Sequence, residues 1–310
     1  MNSTVAAHSL TREAGSGRIV LRVHGAEVIF AELSCVYPLK LLSPRIAQDG
    51  VAVAFMLTYG GGLVSGDSVA LSVDVGAGTT LMLLSQGSTK VFKTRPGYRA
   101  SVRPRYVLAE GPQTTTQSMD VHIADTGTLV LLPDPVTCFR SASYHQMQTF
   151  HLTGRASAVL LDWITSGRRS LGEEWAFSRY VSINEVFIDG KRIARDAMLL
   201  EDEPVNVSPL PRRVLADRLA PYSCYATLII YGPSVEEIVR SLDVKYRDIS
   251  IYKHRAPPYL LWSLSPISGD MGRIVRVAGK ETEDVKNWLR DALQGLERIV
   301  GVDVYRKAFV

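Results

Sequence analysis

The sequence has few cysteines and no long apolar segment. Its 310 residues include three cysteines, Cys35, Cys138 and Cys224, and no Cys-x-x-Cys pair. An odd number of widely separated cysteines argues against a disulfide framework or a structural zinc site and favours a reducing compartment. The longest apolar runs fall far short of the roughly 20 residues that a membrane-spanning helix needs. We therefore expect a cytoplasmic protein without a membrane partner.

The excess of one charge sign is also small. The chain has 35 basic and 31 acidic residues, and a formal net charge of +4 does not by itself indicate nucleic-acid binding. The charge is uneven in one interval, because no acid occurs between Asp74 and Glu110. The basic residues that we expect to meet a partner there are Lys90, Lys93, Arg95 and Arg99. An acidic protein partner fits this interval, and an RNA-binding β module using Lys90–Arg105 stays open as an alternative.

Alternation of apolar and polar residues predicts strands through the first two thirds of the chain. Val69–Val75 alternates by twos, and Asp189-Gly190 is typical of a hairpin turn. Three further segments are apolar without interruption: Leu81–Leu84, Leu129–Leu132 and Ala158–Leu161. Because strands buried on both faces have this pattern, we expect stacked strands in a solenoid or a thick sandwich. The other predicted strands include Ile19–Val23, Val51–Tyr59, Ser101–Ala109, Met147–Leu152 and Arg179–Ile188.

The last third has mixed character. Ser234 and Glu237 form a capping-box pattern that predicts a helix of about ten residues, and a final helix is predicted from Thr282 to about Ile299. Ile249–Tyr252 is predicted as a strand. The segment Glu203–Arg213 contains three prolines and is a predicted linker or long loop. The fold class is therefore mainly β, a β-helix-like or stacked-sheet body with a few helices, two of them in the C-terminal third. We expect a β-rich body over residues 1–205 and a mixed segment over 206–310 packed on it, in one continuous domain.

No known catalytic motif stands out. The glycine-rich segment that ends at Asp67 lacks the Gly-Lys-Ser/Thr of a phosphate-binding loop. His145 and His151 are six positions apart in a predicted strand, hence about 20 Å from each other, so a preformed histidine metal site is not expected. Asp162 lies between apolar residues, and we expect it to be buried and paired with Arg168 or Arg169.

Five short motifs occur in order along the chain. They are Gly61-Gly62-Leu63-Val64-Ser65-Gly66-Asp67, Gly87-Ser88-Thr89-Lys90-Val91-Phe92, Leu132-Pro133-Asp134-Pro135, Gly167-Arg168 and Gly172-Glu173, with Cys138-Phe139 after the third. Together they resemble the UreD (UreH) family of urease accessory proteins. The resemblance is clear over roughly residues 18–200, and the C-terminal third follows it in length and in the order of strands and helices. It departs from the family pattern at Ser65 and Ser68.

The resemblance implies a non-enzymatic chaperone with a mostly β, β-helix-like fold. Such proteins bind the urease apoprotein together with UreF and with the GTPase UreG, and help to deliver nickel to the urease active site. No tightly bound cofactor is implied, only nickel in transit, in one view through an internal tunnel. Nucleic acid is not among the implied partners.

The residues that match the family's acidic positions are Asp67, Asp162 and Glu173. Carboxylates suit a transient Ni²⁺ site, because oxygen ligands hold this ion less tightly than a full set of histidines or thiolates. The missing family charge at Ser68 puts a two-carboxylate relay at that turn in doubt. An enzyme that uses Asp67 or Glu173 as a general base is the remaining alternative.

Overall fold

The strands of the protein form two sheets that pack face to face. The computed structural model describes residues 13–94, 114–202, 213–252 and 259–309. The strands in chain order are β1 Ser16–His24, β2 Glu27–Cys35, β3 Leu39–Leu42, β4 Val51–Thr58, β5 Ser68–Val75, β6 Thr80–Ser85, β7 Thr89–Val91, β8 Thr115–Ile123, β9 Thr128–Leu132, β10 Val136–Cys138, β11 Ser143–Leu152, β12 Ser157–Thr165, β13 Arg179–Ile188, β14 Lys191–Glu201, β15 Cys224–Tyr231, β16 Leu260–Ile267 and β17 Gly272–Gly279. The helices are α1 Leu215–Leu219, α2 Glu236–Tyr252, α3 Thr282–Ala292, α4 Glu297–Val300 and α5 Val302–Arg306.

The first sheet has the strand order β14-β13-β11-β8-β5-β1-β2. Its strands from β1 to β13 are parallel, and an antiparallel neighbour closes each edge. One face packs on the core and the other faces water, so buried and accessible residues alternate along β5 and β8. The alternation predicted for Val69–Val75 is thus confirmed, and Asp189-Gly190 makes the β13–β14 hairpin.

The second sheet has the order β16-β17-β15-β12-β9-β6-β4-β3. The three uninterrupted apolar segments are β6, β9 and β12, which lie side by side and parallel. Their side chains point alternately into the core between the sheets and into a second core beneath α2 and α3. Burial on both faces is therefore the reason for their apolar sequence, as expected.

Successive strands pass from one sheet to the other and return one position further along. The chain runs through β5, β6, β8, β9, β11 and β12 in this way, and each strand pairs in parallel with its predecessor in the same sheet. The short strands β7 and β10 lie outside the two main strand orders and pair in parallel with each other. β10 also pairs in parallel with the end of β12. This is a β-helix-like arrangement, and the prediction of a mainly β fold is confirmed.

Two local predictions in the C-terminal third were wrong. Ile249–Tyr252 ends helix α2 instead of forming a strand, and α2 has 17 residues. The predicted capping box is not used, because a short 3-10 turn precedes α2 and the Ser234 amide donates to the Ser157 hydroxyl. The final helix α3 ends at Ala292, followed by the shorter α4 and α5.

Some predictions fall outside the described residues: the strand Ser101–Ala109, Arg95, Arg99 and residues 203–212 of the proline-containing segment. The second sheet continues beyond β12 with the C-terminal strands β15, β17 and β16. The division of the chain near residue 205 stays a prediction. Of the helices in the described ranges, none combines the length and the apolar character needed to cross a membrane.

Candidate functional site

The five motifs pack against one another at one end of the two sheets. The glycine-rich segment runs beside β7, where the Leu63 amide donates to the Lys90 carbonyl at 2.8 Å and the Phe92 amide donates to the Leu63 carbonyl at 2.8 Å. The first two motifs are thus joined through their backbones.

Asp134 connects the third motif to the second. Its carboxylate accepts the Gly87 amide at 2.8 Å and the Ser85 hydroxyl at 3.3 Å. The Thr89 amide donates to the Pro135 carbonyl at 3.2 Å. This aspartate therefore fixes the turn that leads into β7.

Aromatic and charged side chains complete the assembly. Phe92 and Phe139 meet edge to face at 5.1 Å between ring centroids, and the Arg168 guanidinium lies 4.0 Å from the Phe139 ring centroid. Arg168 in turn donates to Glu173. We call the assembled residues 61–67, 87–92, 132–139 and 167–173 the motif layer.

Glu173 is held by arginine within this layer. Arg168 donates to both carboxylate oxygens, at 2.9 Å through Nε and 2.7 Å through a terminal nitrogen, and the Arg140 amide donates at 3.3 Å. The bonds from Arg168 are the main cause that lowers the pKa of Glu173. A cation at Glu173 would compete with Arg168 for the same oxygens.

Asp67 closes the glycine-rich turn. Its carboxylate accepts the Val64 amide at 2.8 Å, and its own amide donates to the Val64 carbonyl at 2.9 Å. The Asp67 carbonyl accepts the Thr116 amide of β8. The aspartate thus ties the motif layer to the first sheet.

A pocket opens beside these two turns. It has a volume of about 360 Å³, and its lining includes Gly61, Gly87 and Lys90. Val69 and Gln117 of the first sheet and Met56 of the second also line it. The pocket therefore lies where the space between the two sheets reaches the surface.

Asp162 lies between the sheets, in a group of polar side chains. Its carboxylate accepts the Ser182 hydroxyl at 2.5 Å, the Asn184 amide nitrogen at 2.8 Å and the Gln146 amide nitrogen at 3.1 Å. We call Gln146, Asp162, Ser182 and Asn184 the polar cluster. The expected pairing with Arg168 or Arg169 was wrong, since these arginines bind Glu173, and Glu174 with Glu281.

The surroundings of the Asp162 carboxyl group disfavour its charged form. Burial is the main cause that raises the pKa of Asp162, and the three hydrogen bonds offset only part of it. Asp162 still keeps partial accessibility. Tyr144 adjoins the cluster, because its hydroxyl donates to the Gln146 side-chain carbonyl at 3.1 Å. Burial is the main cause that raises the pKa of Tyr144, and Cys138 and Asp162 contribute to the rise.

Of the four basic residues predicted to meet a partner, Lys90 and Lys93 lie within the described ranges. Lys90 is exposed in the motif layer, and Lys93 is exposed directly after it in the chain. Both can therefore meet a partner at this end of the molecule.

One group of metal-ligating side chains was not predicted from the sequence. Among the described residues, Asp120, His122 and His151 bring three ligand atoms within 4.8 Å of one another. The sequence does contain a signal for the histidine pair. Each histidine directly precedes the last apolar residue of a strand that leads into a glycine turn. Stacked strands therefore place the two histidines side by side.

Comparison with known proteins gives consistent matches over nearly the whole chain. A sequence profile of the UreD urease accessory protein family matches residues 13–307. Urease accessory protein 4 of Cryptococcus neoformans is 37% identical over 308 residues, which cover 93% of this chain and 93% of that protein. Urease accessory protein D of Arabidopsis thaliana is 32% identical over 313 residues, with 94% and 99% covered. Urease accessory protein UreD of Sorangium cellulosum is 34% identical over 300 residues, with 95% and 84% covered.

Proposed function

The chain belongs to the UreD urease accessory protein family, and we propose that it is a non-enzymatic chaperone of metallocentre assembly. In this proposal it binds the urease apoprotein and, with UreF-like and UreG-like partners in the cytoplasm, helps to deliver nickel to the urease active site. Nickel is the cargo, and no tightly bound cofactor takes part.

The position of Asp162 carries this proposal. A buried carboxylate without a counter-charge is unfavourable, and the polar cluster supplies hydrogen bonds but no cation. A divalent ion that reaches Asp162 would supply the missing charge.

The other two acids differ in what a passing ion must displace. Asp67 lies at the glycine-rich turn, and its residue is partly exposed. Glu173 is bound by Arg168 through two hydrogen bonds, so an ion can use it only when Arg168 moves aside. We therefore rank Asp162 and Asp67 above Glu173 as ligands for nickel in transit.

The motif layer is the proposed contact with partner proteins. Lys90 is exposed there and Lys93 is exposed directly after it, and Arg95 and Arg99 follow in the sequence. Four basic residues in an interval without acids suit an acidic surface, since charge complementarity speeds and orients association.

Deletion of this chain from a urease-producing cell tests the function. Urease protein should still accumulate, with low nickel content and low activity, and re-expression should restore both. Asp162→Asn and Asp67→Asn should restore less activity than the wild type, whereas Asp49→Asn, at an exposed position outside the motif layer, should restore it fully. Normal nickel content in the deletion strain would refute the proposed function.

The alternatives have their own tests. A lowered pKa makes Glu173 a weak general base near neutral pH, which disfavours an enzyme built on it. An RNA-binding module at Lys90–Arg105 predicts RNA affinity that falls steeply with salt, and a salt series with a short RNA would detect it.

A further inference from the structure

The outer face of the first sheet brings two imidazoles and one carboxylate together. His122 on β8 and His151 on β11 are direct partners in the parallel register, and Asp120 lies two residues before His122. The His122 Nε2 lies 3.5 Å from one carboxylate oxygen of Asp120, and the His151 Nε2 lies 3.4 Å from the other. The three side chains therefore face one point in space.

Neighbouring rings fix the orientation of the histidines. The two imidazoles stack at 4.7 Å with an interplanar angle of 12°. Phe187 of β13 stacks on the other side of His151 at 5.1 Å and 22°. Because strands of one sheet position all three ligands, little order has to be gained when an ion binds.

The two histidine–carboxylate distances match the needs of a transition metal. A metal bonds to imidazole nitrogen and carboxylate oxygen at about 2.1 Å, which places two ligand atoms of a tetrahedron about 3.4 Å apart. The side chains of His122, His151 and Asp120 are 55%, 37% and 59% exposed, so water can complete the coordination. Two histidines with one carboxylate bind zinc, nickel or iron rather than magnesium or calcium, which prefer oxygen ligands alone.

We propose that Asp120, His122 and His151 form a surface site for a divalent first-row transition metal, such as Ni²⁺ or Zn²⁺. Two neutral imidazoles and one carboxylate carry a net charge of −1, which favours a cation. The nearest acids on neighbouring strands already have counter-charges, Arg18 at 2.6 Å from Asp74 and Arg192 at 2.9 Å from Glu185. The proposed metal site does not depend on the proposed function, whereas a role for this site in nickel delivery rests on that function.

Titration of the purified full-length chain with Ni²⁺ and with Zn²⁺ by calorimetry tests the site. His122→Gln and His151→Gln should each weaken one binding step by about tenfold or more, and the double variant should lose it. His145→Gln is the matched control, because His145 is exposed on the same strand and the same sheet face. It should bind as the wild type does.

Copper supplies a second measurement that identifies the ligands. The electron paramagnetic resonance spectrum of bound Cu²⁺ should show coupling to two imidazole nitrogens, and the double variant should lose this coupling while His145→Gln keeps it. Circular dichroism should find all variants folded, since the replaced side chains lie on the water-facing side of the sheet.

Equal metal binding by the wild type and the double variant would overturn the proposal. So would wild-type binding weaker than about 1 mM, because the histidines would then be only ion-pair partners of Asp120. Urease activation separates this inference from the function. If the double variant loses the metal but still activates urease, the site stands outside the delivery route; if the deletion test above fails, the metal titration still decides the site.

Discussion

Gly62 lies directly against the backbone of Lys90. A β-carbon at position 62 would be 2.5 Å from the Lys90 carbonyl oxygen and 2.7 Å from the Phe92 ring. The Gly62 backbone is extended, with φ 161° and ψ 174°, a conformation open to every residue. Glycine is therefore required here by space, because the first two motifs pack backbone to backbone.

Gly62→Ala should separate these two motifs. The added methyl group meets a carbonyl oxygen that is fixed in the contact with Leu63, so relief requires a backbone shift. We expect a loss of about 1–3 kcal/mol in the free energy of unfolding, the usual cost of overpacking, together with weaker urease activation. Chemical denaturation and a cell-based activation assay measure the two effects.

Gly25→Ala is the control for backbone strain. Gly25 has a φ of +64° and no atom within 4 Å of an added β-carbon, so its replacement adds strain without a clash. It should cost about 1 kcal/mol and leave urease activation unchanged. If Gly62→Ala is as stable as the wild type, the backbone contact is not as tight as the structure indicates.

The Glu173–Arg168 pair should make stability depend on acid pH. Because these bonds lower the folded-state pKa of Glu173 below its ordinary value of 4.5, the folded protein binds fewer protons there than the unfolded chain. The stabilisation is present above about pH 4.5 and is lost as the pH falls through the lowered pKa. The stability difference between the wild type and Glu173→Gln should therefore shrink on acidification.

Glu174 is the matched control for this pair. It accepts from Arg169 at 2.8 Å, but its side chain is 52% exposed, and exposed pairs contribute about 0–1 kcal/mol. Glu174→Gln should change stability little at any pH. Denaturation midpoints measured over a pH series compare the two variants, and equal profiles would refute a special role for Glu173.

The opposite pH dependence is expected at Asp162. Since burial raises its folded-state pKa above the ordinary value of 3.8, the folded protein holds this proton more tightly than the unfolded chain. The wild type then loses stability as the pH rises above about 3.8, until the raised pKa is passed. Asp162→Asn has no such group, so its stability relative to the wild type should increase over that range.

Asp49→Asn again serves as the control, because Asp49 is exposed. Its pH profile should run parallel to that of the wild type. A parallel profile for Asp162→Asn as well would mean that Asp162 is not desolvated, and would remove the argument that it attracts a cation.

The repeated apolar segments made the architecture predictable, but not the partners of single side chains. Leu81–Leu84 and its two counterparts indicated strands buried on both faces, and the structure places them side by side. Asp162 was correctly expected in the interior. Its partners were not predictable, because Gln146, Ser182 and Asn184 come from two strands of the opposite sheet.

The histidines illustrate the same limit. Within one strand, His145 and His151 are too far apart to act together, and this was expected. The contact between His122 and His151 depends on the register of β8 and β11, which spacing within a single strand does not contain. The strand prediction for Ile249–Tyr252 was wrong for a related reason. The apolar residues of this segment also suit a helix, and a four-residue pattern does not separate helix from strand.

The cysteines allow a last test of how nickel is held. Cys138 follows the third motif within the motif layer and is 1% exposed, and Cys224 is 0% exposed. Burial raises the pKa of both thiols, that of Cys224 to about 12. Because the thiolate is the form that binds metals and reacts with alkylating agents, both should be inert in the folded protein.

Iodoacetamide should therefore modify only Cys35, which is partly accessible, in the native protein at neutral pH. Mass spectrometry of digests should find one labelled site before unfolding and three after it, and Ni²⁺ should not alter the pattern. Cys138→Ser should keep most urease activation, since carboxylates and not thiolates would carry the ion. Rapid native labelling of Cys138, or its protection by Ni²⁺, would instead indicate that the Cys138 thiolate is a ligand and would require a different ligand set for nickel in transit.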